Sequence, residues 1–167
     1  MLLNRIGAAM DYRKAGLEDA DKLSRLRVEM LLEEASYDES FQSVLYMNTR
    51  QYILEGLKDG SFSAWIAVEG SLILAMGGAA YFTLPPNSWC PAGKTAYIGN
   101  LYTLPGYRGQ GIASRLLELI TAEAKDRGCQ RILLTASAMG RPLYEKAGFG
   151  PWHDAMVLYP FGIKENT

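Results

Sequence analysis

The sequence predicts an α/β domain of the α+β kind, a mixed sheet packed by helices, and three observations predict it. The chain has 167 residues, 49% of them hydrophobic, with no linker, repeat or low-complexity segment, which suits a single domain with a sizeable core. Apolar residues recur at helical spacing in separate stretches. Between those stretches lie runs rich in β-branched and aromatic residues bounded by Gly and Pro, giving the order β-α-α-β-β-β-α-β-α-β.

Residues 1–9 read as a short leader ahead of a domain spanning 10–167. Arg5 inside a weak apolar run makes the leader a poor signal peptide, and Met10 is a second candidate start. Residues 11–15 suit a first strand. Glu18, Asp19 and Asp21 then open a helix, where the positive end of the dipole favours acids; Leu23, Leu26, Met30 and Leu31 form its apolar face. A second helix over 39–58 places Phe41, Val44, Leu45, Asn48, Tyr52, Ile53 and Leu57 at helical spacing, and Gly60 closes it. Residues 62–68 and 72–82 read as strands around the turn Glu69-Gly70-Ser71, followed by a polar, proline-rich loop over 85–93. The β-forming run 96–104 stops at Pro105-Gly106. A third helix spans about 111–127. Ile112, Ala113, Leu116, Leu117, Ile120 and Ala124 share one face, Arg115, Glu118 and Lys125 the other, and Gly128 follows as a C-cap. A buried-looking strand over 131–136, a short helix near 138–146 ended by Gly148, and a last strand over 153–159 complete the order.

The start of the third helix asks for a ligand. In Tyr107-Arg108-Gly109-Gln110-Gly111-Ile112-Ala113-Ser114 no proline removes an N–H donor, the glycines permit close approach of backbone, and Arg108 adds a planar cationic fork. Free N–H groups and the helix dipole make such a start a phosphate cradle. A P-loop would need Lys and Ser or Thr after Gly111, where Ile112 and Ala113 stand. A dinucleotide fingerprint would need Gly or Ala at Ser114 and belongs after a first strand.

What remains is Arg-x-x-Gly-x-Ala, carried by Arg108, Gly111 and Ala113. It resembles the pyrophosphate-binding motif of the GNAT superfamily of acyl-CoA-dependent N-acyltransferases, written Gln/Arg-x-x-Gly-x-Gly/Ala. Downstream, Leu143-Tyr144-Glu145-Lys146-Ala147-Gly148-Phe149 resembles the second signature of that family, in the right order. The resemblance covers nearly the whole chain. It implies a single-domain GNAT fold, a mostly antiparallel sheet of about six to seven strands flanked by four helices. It implies acetyl-CoA as donor substrate and an amine as acceptor. It also implies a bulged strand whose backbone at Leu101, Tyr102 and Thr103 binds the acyl carbonyl and pantetheine, and phosphate contacts from Arg108, Gly109, Gln110, Gly111, Ile112, Ala113 and Ser114. Tyr144 is implied as the acid for the sulfur, Ser137 as a polar contact to the coenzyme arm, and a homodimer is compatible with it.

The chemistry needs an oxyanion donor, a route for a proton off the amine and an acid for the leaving thiolate. Many family members carry a glutamate on the strand before the glycine loop, whereas this chain has Tyr97, Ile98, Gly99 and Asn100 there, leaving Asn100 to orient a water. Glu33 and Glu34 are candidates for the acceptor rim, His153 is a weaker candidate base, and Tyr37, Tyr46, Trp89 and Trp152 are candidate linings of an acceptor cleft. The net charge of −1 gives no general attraction to nucleic acid or anionic membrane, and no apolar run has the length of a span. Cys90 and Cys129 have neither metal nor redox spacing and read as unpaired thiols of a cytoplasmic protein; no metal is expected. The competing readings are a non-catalytic acyl-CoA-binding regulatory module, against which Tyr144 argues, and an unrelated nucleotide-binding domain.

Overall fold

The computed structural model describes residues 10–152 and 155–160. Strand β1 (Asp11–Lys14) leads through a 3-10 turn into α1 (Ala20–Leu32) and α2 (Glu39–Asp59). Then come β2 (Phe62–Glu69), β3 (Leu72–Thr83), β4 (Lys94–Thr103), α3 (Ile112–Asp126), β5 (Arg131–Leu134) and α4 (Arg141–Lys146). The sheet order is β1-β2-β3-β4-β5, with every pair antiparallel except β4 with β5. The mixed, mostly antiparallel sheet flanked by four helices thus stands as expected.

The strands are apolar on both faces because both faces are covered, so simple alternation is lost. On one face Leu23 and Leu26 of α1 and Ile53 of α2 pack on Phe62, Ile66, Met76 and Tyr102. On the other, Leu117, Ile120 and Ala124 of α3 pack on Ala79, Ala96 and Ile98, while Ile112 and Leu116 meet Ala67 and Ala75. Gly77 lets α3 lie close to the sheet: a Cβ there would sit 2.7 Å from Ile120 Cδ1 and 2.9 Å from Leu101 Cδ1.

One polar hub locks α3 to the sheet. The buried carboxylate of Glu123 accepts from Trp65 Nε1 at 2.8 Å and from Arg127 Nε at 3.0 Å, and pairs with Lys14 Nζ at 3.0 Å. The Arg127 guanidinium lies 4.0 Å over the Tyr81 ring and donates to the Gly60 carbonyl. Burial raises the Glu123 pKa, but Lys14, Trp65 and Arg127 together outweigh it and hold the carboxyl below its usual value.

The strand count is lower than expected, five among the described residues. Of the last expected strand, 153 and 154 lie outside the described residues and 155–159 join no ladder. Met156, Val157 and Leu158 are exposed, so the β-rich composition there buries nothing, and β-propensity reports packing more than backbone preference. The strand expected over 131–136 is shorter too: β5 ends at Leu134, and its pairing with β4 stops there. Among the described residues no helix is long and apolar enough to cross a membrane.

Glu123→Ala should destabilise the fold by about 1–3 kcal/mol, read as a lower urea midpoint at unchanged m-value, because it leaves Trp65 N–H and two cations without their acceptor.

Candidate active site

The site begins with a fault in β4. Gly78 pairs with Gly99 and Met76 with Tyr102, so one residue of β3, Gly77, faces two of β4, Asn100 and Leu101. This is a β-bulge. Asn100 takes φ +60, the one non-glycine residue described with positive φ, a conformation that Asn tolerates better than most residues. On the other side β4 pairs with β5 only from Thr95–Arg131 to Ile98–Leu134. Beyond Ile98, β4 runs on to Thr103 with that edge open. Leu104 N–H donates to Leu74 on β3, so by alternation the Thr103 backbone faces the open edge, while Asn100 and Leu101 stand outside the regular ladder.

Directly after β4 the chain makes a 3-10 turn, Pro105–Tyr107, and enters α3. Gly109 and Gly111 are left-handed, with φ 74 and 78, and a Cβ added at either meets nothing within 4 Å. The first helical bond runs from Arg115 N–H to the Gly111 carbonyl, so the N–H groups of Ile112, Ala113 and Ser114 precede the ladder. Ile112 buries its side chain, Gln110 and Ser114 are exposed, and the backbone of the expected cradle lies open beside the β4 edge.

Arg108 departs from the simplest expectation for its side chain. Its Nη2 donates to both carboxylate oxygens of Glu33, at 2.8 and 2.7 Å, and its Nε donates to the Thr103 carbonyl at 2.9 Å. Tyr102 lies under the guanidinium and donates its hydroxyl to Glu33 Oε1 at 2.7 Å. Arg108 and then Tyr102 hold the Glu33 carboxyl below its ordinary value. Burial, reinforced by Glu33, pushes the Tyr102 phenol up to about 12. The fork therefore ties the C-terminal end of α1 to the end of β4. Sequence reasoning placed Glu33 on the acceptor rim and missed this bond, since the partners are 75 residues apart and neither lies in a pattern with the other.

Across the gap stands α4. Tyr144 is half-buried, with its ring against the Gly140 backbone, where a Cβ would come within 3.0 Å, and edge-on to Phe149. Glu145 and Lys146 point outward, as helical rotation requires. Burial, and next the neighbouring Tyr97, raise the Tyr144 pKa. No hydrogen-bond partner of its hydroxyl occurs among the described residues. Ser137 Oγ accepts from Gly140 N–H at 3.1 Å, and the Tyr97 and Thr135 hydroxyls lie 3.0 Å apart.

These pieces share one cavity of about 1020 Å³, at the upper end of small-molecule sites, which span roughly 300–1,000 Å³. Asn100, Leu101, Tyr102, Thr103, Arg108, Gly109, Gly111, Ile112, Ala113, Ser114, Ser137 and Tyr144 all line it; Gln110 does not. Glu34 joins them, whereas Tyr37, Tyr46, Trp89 and Trp152 lie elsewhere, and His153 is outside the described residues. Tyr97 and Arg27 are additions that no sequence motif announced.

Residues 27–149 match the family model described as Acetyltransferase (GNAT) family. The chain superimposes with a TM-score of 0.84 and 32% identity on a predicted acetyltransferase from Clostridium acetobutylicum crystallised with acetyl-CoA, over 94% of this chain and all of that one. A GCN5-related N-acetyltransferase from Ralstonia eutropha JMP134 gives 0.82 and 32%, over 92% of this chain and all of that one. A thialysine N-epsilon-acetyltransferase of Mus musculus is 32% identical over 66 residues, 40% of this chain and 36% of that protein. A glucosamine 6-phosphate N-acetyltransferase of Trypanosoma brucei brucei is 28% identical over 72 residues, 43% of this chain and 49% of that protein. The matched region thus spans only about a third to a half of these curated relatives.

Glu33→Gln should lower stability by about 0.5–1 kcal/mol at neutral pH, an ion-pair effect reduced by its solvent exposure. Because the folded carboxyl is held low, this contribution is present above the ordinary carboxylate value and is lost as pH falls through the depressed one. Urea midpoints of the two proteins should therefore converge as pH drops below about 4.

Proposed function

Because the chain belongs to the GNAT acetyltransferase family, we propose that it transfers an acetyl group from acetyl-CoA to an amine by direct attack on the thioester. The observation that carries this reading is the convergence, in one cavity, of an open strand edge, a helix start whose first N–H groups precede the helical ladder and a tyrosine hydroxyl with no partner among the described residues. Acetyl-CoA suits each of these. Its pyrophosphate matches the backbone donors of 109–114, where Gly109 and Gly111 leave no Cβ in the way. Its pantetheine can hydrogen-bond along the β4 edge as an added strand would, at Leu101 to Thr103. Arg108 acts mainly by holding the loop to Glu33 and Thr103, so the backbone bears most of the phosphate binding.

In the reaction the amine nitrogen forms a bond to the acetyl carbon, a backbone N–H at the bulge steadies the carbonyl oxygen, and the C–S bond breaks. The proton for the departing thiolate comes from Tyr144, which burial keeps protonated at neutral pH. Asn100 orients a water that takes the proton of the amine. Thialysine and glucosamine 6-phosphate, the acceptors in the relatives' names, are reasonable first compounds for an acceptor screen, with thiol release as the readout. Thiol release with an amine excludes a purely binding role.

Two variants test the assignment of parts. Gly111→Val should raise the acetyl-CoA Kd at least ~10-fold by calorimetry, since a side chain both strains a left-handed residue and fills the cradle. Arg108→Ala should do less, as its fork already serves Glu33. Unaltered affinity in a folded Gly111→Val protein would remove the cradle.

Tyr144→Phe keeps the ring against Gly140 and loses the proton donor. It should slow the single-turnover chemical step at least ~10-fold with little change in acetyl-CoA affinity. A wild-type chemical rate would leave Tyr144 a packing residue.

A further inference from the structure

Arg27 stands out among the arginines of the described residues. Arg13, Arg50, Arg108, Arg115, Arg127 and Arg141 pair with carboxylates, Arg25 lies over Tyr46, and Arg131 donates to Thr95. Arg27 has only a contact of 4.0 Å from Nη1 to Met30 Sδ. It projects from α1 into the wall of the same cavity and is partly buried there. Removal from water disfavours its charge, and the titratable groups that act on it across space are Tyr97, Glu34, Tyr37 and Tyr52. Glu34 is felt across space, but no oxygen of it comes within ion-pair distance, and the other three are phenols rather than carboxylates. A guanidinium does not escape this by losing its proton.

Location separates Arg27 from the coenzyme cradle. α1, which carries Arg27, packs on one face of the sheet and α3, which begins just after residues 109–111, on the other, and both line the cavity. Tyr97 acts electrostatically on both Arg27 and Tyr144, and all three line the cavity. A small acceptor in that cavity, with its amine at the thioester, would have its far end at the wall that Arg27 lines.

We propose that Arg27 is the specificity residue for the acceptor, and that the acceptor is a small amine carrying an anionic group, a carboxylate or a phosphate, which pairs with the Arg27 guanidinium. This rests on the acetyltransferase reading above. The anion supplies the counter-charge that the fold withholds, and the planar fork suits the two oxygens of either group. Arg27 binds the far end of the acceptor and takes no part in bond making.

The first measurement needs no knowledge of the acceptor. The protein saturated with CoA, so that the coenzyme's own phosphate sites are filled, is titrated with inorganic phosphate and with acetate while the Arg27 Nε–Hε NMR resonance is followed, assigned by its loss in Arg27→Gln. A saturable shift is expected with at least one anion, and the absence of any shift overturns the proposal. Which anion acts separates the phosphate and carboxylate forms. The second measurement compares kcat/KM for matched amines, lysine against 1,5-diaminopentane and glucosamine 6-phosphate against glucosamine. An accepted pair should favour its anionic member at least ~10-fold, as expected for a charge-assisted contact. That ratio should collapse towards one in Arg27→Gln and recover in part in Arg27→Lys, which also guards against misfolding of the first variant. A neutral member used equally well, or a ratio that survives in folded Arg27→Gln, overturns the proposal. Calorimetry with acetyl-CoA is run alongside: absent binding there refutes the acetyltransferase reading, whereas intact binding with no Arg27 response refutes only the anion site.

Discussion

The parting of β4 from β5 is the constraint on which the site depends. Parallel pairing lasts for four residues of each strand and then stops, while β4 continues. Backbone polar groups that leave a ladder must find other partners. The bulge at Asn100 and Leu101 concentrates that unpaired backbone at one place and turns the strand as it does so. The elements that line the cavity are grouped around this opening: α3 begins just beyond the end of β4, and α4 follows the end of β5. A sheet that stayed closed would have neither a slot for an extended ligand nor a cavity.

An opened sheet edge needs rigid surroundings. On one face the Glu123 hub joins α3 to β1 and β2, and Gly77 lets the helix settle against the strands, which fixes where its N-terminus points. On the other face Arg108 clamps the end of β4 to α1 through Glu33 and Thr103. Both devices are hydrogen-bonded ion pairs at the border of the core, where the geometry is held by packing on one side and the charges remain partly hydrated on the other. The loop and helix start that line the cavity are thus held in place by contacts within the chain, and preorganised donors of this kind cost little to use.

Arg108 shows how a motif residue can be recognised for its charge and also hold a partner that no motif announces. Its position marks the glycine loop, and its charge is compatible with phosphate. In the folded chain its guanidinium binds both oxygens of Glu33, the residue that caps the C-terminus of α1. The motif thus specifies a loop shape whose backbone faces the cavity, and the side chain secures that shape.

The local pieces were legible in the order of residues: four helices with their apolar faces, the strands up to β5, the turn glycines, the helix start after a β-run, and an inward Tyr144 one helical turn after Gly140. These follow from short-range periodicity, capping and sterics, which operate within a few residues. The remainder was settled by the way distant segments meet. The fate of the last apolar run depended on whether a neighbouring strand would receive it, and Met156, Val157 and Leu158 stayed exposed. The pairing of Glu33 with Arg108, the exclusion of Tyr37 and Trp89 from the cavity, and the unpaired placement of Arg27 are likewise relations across the fold. A charge acquires its partner from whatever the fold brings within a few ångströms, and no spacing along the chain records that distance.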